Sequence, residues 1–413
     1  MRRAVGKARV SVPKNKILSV TKDGIYKILE CNGSDYFEWD FTRPHAEKTY
    51  VLFIGDEKPN VFKLGKKIIG LNIRMPFSST KVYLPFTIRT IQQITGFLIT
   101  LKMIKKISPK VLEVMFPSKL ALRAMLLKWL VPINLVAQVR GNLDLIYYFN
   151  PFPSFWPFKM TLAPFEIFQV MWDKLVSLLF YRSYDLVIGY NVNNMLSAIS
   201  NGSHPKKTRF SRIKIELTML DLKRKERFEI DELPKTGKII SLWSRLSAEK
   251  LVLESIQAFE QLMSLTDEDL HLIIIGDGPE KTKILSYLTK SICKKRIHFL
   301  GYRDRNFIAQ TALHSSLSLV PYGGGSLVEA VMLGVPVVAF DIGWHNELIR
   351  DGETGYLADF PDINHIAEKM LEIISYPEEA SRRAIIAKEL ASKMFDIKKT
   401  DIKEARFYKN LFS

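Results

Sequence analysis

Ser318-Leu-Val-Pro-Tyr-Gly-Gly-Gly-Ser-Leu-Val-Glu-Ala-Val-Met-Leu-Gly-Val-Pro-Val-Val-Ala-Phe-Asp341 reads as a strand, a triple glycine, a helix and a second strand. The apolar run ahead of Gly323, Gly324 and Gly325 is short and continuous, as in a strand buried on both faces. A helix opens at Ser326 and carries Glu329, and a further strand is expected over 335–340. Glycines between a strand and a helix let backbone N–H groups approach an anion, and the helix N-terminus adds a favourable field. Glu329, one turn into the helix, is placed to accept hydrogen bonds from hydroxyls beside that anion. Phosphate and sugar hydroxyls side by side point to a nucleotide or nucleotide-sugar. A glycine loop alone is a weak signal, because ordinary α/β turns share it.

The flanking sequence adds weight. Strands are expected over 238–243, 270–275, 296–300 and 316–320, with amphipathic helices over 248–263, 280–293 and 305–312. Short apolar strands alternating with such helices predict a doubly wound parallel sheet, whose ligands sit at the carboxyl ends of the strands. The loops Gly276-Asp-Gly-Pro279, Gly301-Tyr-Arg303 and the triple glycine all fall at that end. Arg245 follows the first strand and Lys250 precedes the next helix, so both are expected to point into the crevice. Two cations there would neutralise the charge that grows on a departing diphosphate. After the last strand, Trp344, His345 and Asn346 are crevice candidates, although a histidine in this setting is more often structural. Glu347 is expected to help cap a short helix.

With 413 residues the chain is long enough for two cores, and 47% hydrophobic against 25% charged residues is the profile of a globular protein. Its two cysteines, Cys31 and Cys293, indicate neither a disulfide framework nor a cysteine metal site, which fits a reducing compartment. Residues 1–11 are basic without the apolar stretch of a signal peptide, and no uncharged apolar run is long enough for a transmembrane helix. The overall charge of +17 is unevenly placed: the first 240 residues carry +20 and the rest −3. Such asymmetry implies an anionic partner: nucleic acid, an anionic membrane or a phosphorylated acceptor.

The first half also reads as α/β, with strands over 50–54, 67–73, 111–115, 133–139 and 185–190 and helices over 88–106, 119–130 and 165–180. A charged stretch over 209–235 reads as an interdomain linker. Residues 87–110 are amphipathic and end with Lys102, Lys105, Lys106 and Lys110, while 147–158 is an aromatic–proline segment. Aromatic residues beside basic ones suit the surface of an anionic membrane.

Residues 237–357 resemble the nucleotide-binding domain of the retaining GT-B glycosyltransferases of family 4. The resemblance rests on Arg245-Leu246, Glu249-Lys250, Gly276-Asp-Gly-Pro279, Phe299-Leu-Gly301, Glu329-Ala330, Gly334-Val-Pro-Val-Val338 and Glu347-Leu-Ile-Arg-Asp-Gly-Glu-Thr-Gly355, in the family's order. It implies the GT-B fold, two Rossmann-like doubly wound α/β domains facing a central cleft. The expected division is 1–235 for the acceptor, 236–395 for the nucleotide-sugar, and 396–413 as a C-terminal helix packing back toward the first domain. It also implies that Arg245, Lys250 and Glu329 act on the donor, the first two at the diphosphate and Glu329 at the ribose. The backbone of Gly323, Gly324, Gly325, Ser326 and Leu327 would approach the phosphates, with Gly278, Gly301 and Tyr302 around the rest of the nucleotide.

Three positions depart from the pattern. The first Glu of the family's Glu-x7-Glu pair falls at Pro321, which removes the side chain expected to hold the donor sugar; N–H groups of Gly323–Gly325 would have to substitute. Ser244 and Leu251 replace two family glycines. Gln138-Val-Arg-Gly-Asn142 stands where the family often has a histidine, so Arg140 and Asn142 become acceptor candidates. The expected activity is metal-independent retaining transfer of a hexosyl group from a nucleotide-diphosphate-sugar, a substrate and not a cofactor, to a glycan or polyprenyl-diphosphate-linked acceptor. No nucleic-acid partner is expected, and the expected location is the cytoplasm, peripherally on the inner face of the cell membrane. The alternatives are a non-catalytic nucleotide-sugar binder and a nucleotide-sugar epimerase.

Overall fold

A computed structural model describes residues 16–21, 46–55, 60–64, 66–74, 86–116, 119–141, 164–214 and 230–412. The first sheet takes β1 (Lys16–Thr21), β2 (Lys48–Gly55), β3 (Asn60–Lys63), β4 (Ile68–Arg74), β5 (Val111–Phe116), β6 (Asn134–Val139), β7 (Leu186–Gly189) and β8 (Thr208–Phe210). Its order is β3-β4-β2-β1-β5-β6-β7-β8, parallel throughout except for the β3–β4 edge pair. The helices are α1 (Phe86–Ile107), α2 (Lys119–Lys128), α3 (Pro164–Ser183) and α4 (Val192–Ser200).

The second sheet contains β9 (Lys238–Trp243), β10 (Leu270–Ile275), β11 (Ile297–Gly301), β12 (Ser315–Leu319), β13 (Val337–Phe340) and β14 (Tyr356–Ala358). Its order is β11-β10-β9-β12-β13-β14, with every pair parallel. Between and after them run α5 (Val252–Leu265), α6 (Lys281–Lys290), α7 (Arg305–Leu313), α8 (Gly325–Leu333), α9 (Ile363–Ser375), α10 (Pro377–Met394) and α11 (Ile397–Tyr408). Two parallel-sheet α/β domains make this a GT-B architecture, as the sequence resemblance implied.

Side chains of a strand alternate between faces, and here both faces are buried. Ile240, Leu242, Leu272, Ile274, Leu317 and Leu319 enter one core, while Ile239, Trp243, Ile273, Ile275, Val337 and Ala339 enter the other. The first sheet does likewise. Leu112, Val114, Leu135 and Ala137 pack under α1, α2 and α3, and Ile17, Val111, Val136 and Ile188 pack against Tyr408 of α11. The chain's last helix therefore covers one face of its first sheet.

Several elements differ from the sequence reading. The helix expected over 248–263 is broken: a 3₁₀ turn at Ala248–Lys250 ends at Leu251, whose φ of 55° is left-handed, and α5 begins after it. That conformation costs an L-residue about 1–2 kcal/mol, and burial of Leu251 in the core offsets it. Strands β1, β3, β8 and β14 and helices α4, α9 and α10 were not anticipated. The stretch expected to be a linker starts inside β8, and Ser211 and Lys214 are buried. The aromatic–proline segment 147–158 lies outside the described residues.

Candidate functional site

The triple glycine divides its labour. A Cβ on Gly323 would lie 2.5 Å from Val320 Cγ1 and 2.8 Å from Leu327 Cβ, so no side chain fits there. Gly324 and Gly325 face open space. Gly324 is the N-cap of α8 and supplies no side-chain cap. The first N–H groups of a helix lack intrahelical partners, and those of Gly325, Ser326 and Leu327 belong to this turn. The loop is pinned from behind by His345, which is fully buried. Gly323 N–H donates to His345 Nε2 at 3.0 Å, and Nδ1 lies 2.8 Å from the Phe340 carbonyl oxygen. That pattern fits a neutral ring protonated at Nδ1. Burial lowers its pKa to about 4.

Facing this loop is the turn after β9. Arg245 is exposed, and Lys250 is partly covered. Lys250 Nζ donates to the Tyr322 carbonyl at 3.2 Å and lies 5.0 Å from the centroid of that ring. Desolvation lowers the Lys250 pKa, Glu249 opposes the shift and Arg245 adds to it. Tyr322 is pushed up to about 12 by burial, with Glu249 contributing.

The Gly276-Asp-Gly-Pro279 turn holds the β9 turn by backbone contact. A Cβ on Gly278 would sit 2.3 Å from Leu246 O, and one on Gly276, at φ +151°, only 1.9 Å from Ser244 O. Leu246 N–H donates to Asp277 O at 3.0 Å, and Glu280 N–H donates to Leu246 O at 2.9 Å. Gly278 therefore shapes the loop that carries Arg245. Gly276 N–H donates in turn to Gly301 O at 2.8 Å, next to exposed Tyr302. Gly301, at φ +68°, has open space where a side chain would stand.

Glu329, about one-fifth exposed, accepts from Trp243 Nε1 at 3.3 Å and lies 3.7 Å from Arg305 Nη2. Arg305 was not singled out in the sequence. Its signal is its place at the start of α7, just after the Gly301 loop at the same end of the sheet.

Across the cleft, Arg140 and Asn191, Asn193 and Asn194 form one wall of a cavity of about 240 Å³. Lys250, Gly323 and Gly324 form the other. Asn142 lies outside the described residues. Asn193 Nδ2 donates to Gly343 O at 3.3 Å, and Glu347 accepts from Val192 N–H at 2.8 Å while pairing with Arg212. Glu347 thus joins the two domains, where the sequence suggested a helix cap. A larger cavity of about 360 Å³ opens near Lys238, Ser315 and Pro336, away from the glycine loop and the cations.

Comparison with known proteins places this geometry. Residues 223–390 match the family described as glycosyl transferases group 1. Over 146 residues, 35% of this chain, it is 31% identical to N-acetyl-alpha-D-glucosaminyl L-malate synthase of Bacillus anthracis. Over 144 residues, 34% of this chain, it is 29% identical to poly(ribitol-phosphate) alpha-N-acetylglucosaminyltransferase of Staphylococcus aureus. These matches span 38% and 29% of the two relatives' own lengths. Among solved structures, Anabaena HepE in complex with UDP and glucose superposes with a TM-score of 0.69 at 17% identity, covering 96% of this chain and 100% of that one. The resemblance to GT-B glycosyltransferases is thereby shown, in sequence over the second domain and in fold over the whole.

Proposed function

We propose that this chain transfers a sugar from a nucleoside-diphosphate sugar to a glycan or lipid-linked glycan, with retention of configuration and without a metal ion. The observation that carries the reading is the uncapped start of α8, with Gly324 and Gly325 open to the cleft and Lys250 across from them. Diphosphate oxygens seated there would accept N–H bonds from the first turn of α8, with Lys250 and Arg245 countering the negative charge that grows as the glycosidic bond breaks. The departing phosphate is itself a base and takes the proton of the attacking acceptor hydroxyl on the face it vacates. No separate general base is then required. Glu329, held by Trp243 and Arg305, is placed to accept from ribose hydroxyls. Pro321 offers no side chain to the donor sugar, which leaves that contact to the loop's backbone.

The donor to try first is UDP-N-acetylglucosamine, since the two relatives compared above are named as N-acetylglucosaminyl enzymes and one structural neighbour holds UDP. A thermal-shift panel of UDP-, GDP-, ADP- and dTDP-sugars should raise the melting temperature with one base, because a ligand bound only by the folded chain stabilises it. Transfer to a glycan acceptor should then survive EDTA and give the donor's anomeric configuration by NMR. No shift with any base would refute the donor site. Donor binding without transfer would favour a non-catalytic binder, and interconversion of donor sugars without an acceptor would favour an epimerase.

We further infer that the first domain rests on an anionic membrane. On α1, Ile91, Ile94, Leu98, Lys102 and Lys105 are exposed at helical spacing, apolar first and basic last. On α3, Met171, Lys174, Leu175, Leu179 and Arg182 are also exposed, with Lys174 among the apolar residues and Arg182 at the end. Among the described residues no helix is long and apolar enough to cross a membrane. Sedimentation with phosphatidylglycerol vesicles but not with phosphatidylcholine vesicles, reversed by salt, is the expected result. Equal behaviour on both would refute it.

A further inference from the structure

One buried polar chain runs from α11 through the first sheet to the cleft. Glu113 lies at the centre of β5 with no exposed surface. Burying a carboxyl is costly unless hydrogen bonds compensate it. Tyr408 of α11 donates its hydroxyl to Glu113 Oε1 at 2.5 Å, and Gln138 Nε2 donates to Oε2 at 2.9 Å. Gln138 Oε1 in turn accepts from Arg140 Nη2 at 3.2 Å. A guanidinium only donates and an amide has one end of each kind, so the order of the chain fixes which way the Gln138 amide points. Arg140 also lies over the Tyr190 ring, 5.2 Å from its centroid, and lines the cavity opposite Lys250.

We propose that Arg140 binds an anionic group, phosphate or carboxylate, on the acceptor, and that Gln138, Glu113 and Tyr408 are positioning residues that aim it. This deepens the transferase reading and rests on it. The donor diphosphate engages α8 and Lys250 on one wall, so a fork of N–H donors on the facing wall serves a second anion. The chain also gives α11 a functional task, because its Tyr408 reaches the cleft through three side chains of the other domain.

The test titrates glycerol 1-phosphate and neutral glycerol, by calorimetry, into the full chain saturated with UDP. Saturable binding of the phosphate alone is expected. Arg140→Ala should weaken it about tenfold or more, the usual effect of losing a charge-assisted hydrogen bond, and Arg140→Lys should fall between because it keeps charge but loses the fork. Tyr408→Phe should weaken it about threefold, a small shift in aim, with UDP affinity unchanged and the melting temperature lowered, because the buried Glu113 carboxyl loses a donor. Phosphate binding that ignores Arg140→Ala, or that competes with UDP, overturns the proposal. So does a loss of UDP-glucuronate but not UDP-glucose affinity in Arg140→Ala, which would put the anion on the donor sugar. Failure to take up UDP refutes the donor reading instead, and the same titration without nucleotide still decides the role of Arg140.

Discussion

His345 shows how one side chain can tie the site to pH. In the folded chain its pKa is lowered to about 4, chiefly by burial, whereas an exposed histidine titrates near 6.5. The unfolded chain therefore binds the proton more readily, and stability rises with pH across that interval. The contribution is complete above about pH 6.5 and is lost as pH falls through 4, amounting to about 3 kcal/mol at most. Urea midpoints measured from pH 7 to pH 4 should fall more steeply for wild type than for His345→Gln; parallel curves would show that the ring is not the titrating group. Glu329 and Lys250 are proposed to act on the ligand instead. Glu329→Ala or Lys250→Ala should each weaken donor binding about tenfold or more and leave the fold intact, as read by calorimetry and circular dichroism. Wild-type affinity in both would refute their assignment. Residue types and spacing made these two legible. The partners Trp243 and Arg305 were not, because they come to Glu329 from separate strand and helix ends that only the folded sheet brings together.

At the scale of elements, the glycine loop and α8 yield a sharper test, since neighbouring glycines should fail differently. Gly323→Ala forces a methyl against Val320 and Leu327, and overpacking of this kind costs about 1–3 kcal/mol. Gly324→Ala meets nothing within 4 Å, so its stability loss should be smaller than that of Gly323→Ala. Its methyl would still enter the space proposed for the phosphate oxygens, so donor affinity should drop. Melting temperatures together with donor titrations separate the two outcomes, and equal stability losses would contradict the assignment of open space to Gly324. The second sheet was readable because strands buried on both faces appear as unbroken apolar runs between glycine turns; β9 and β10 fall where those runs do. The first sheet was harder. Strand β1 begins Lys16-Ile-Leu-Ser, β3 has exposed Val61, and β8 has three residues, so none presents such a run. Leu251 broke an expected helix because helical periodicity does not register a single left-handed residue.

For the whole molecule, the contacts that span the cleft differ from those that anchor it. The C-terminal helix is fixed to the first domain by many partners: Ser211 Oγ donates to Glu404 at 2.9 Å, Lys214 pairs with Asp401 and Glu404, and Asn134 Nδ2 donates to Leu411 O at 2.9 Å. Near the cleft, Glu347 takes the N–H of Val192, at the start of α4, and the guanidinium of Arg212. A carboxylate at a helix N-terminus is well placed, and each partner of this pair is only about 15% exposed. The pair is therefore better shielded from water than a surface ion pair. Removing Glu347 should leave both sheets folded, because neither core includes it, but loosen one domain against the other. Glu347→Ala should cost about 2 kcal/mol, below the value for a fully buried pair. A double-mutant cycle with Arg212→Ala should return a coupling of about 1 kcal/mol or more. X-ray scattering of Glu347→Ala should show a larger radius of gyration that shrinks again on adding the donor nucleotide, as domains closed by ligand would. A wild-type radius and no coupling would mean that the remaining contacts fix the domains, and that Glu347 contributes nothing to closure.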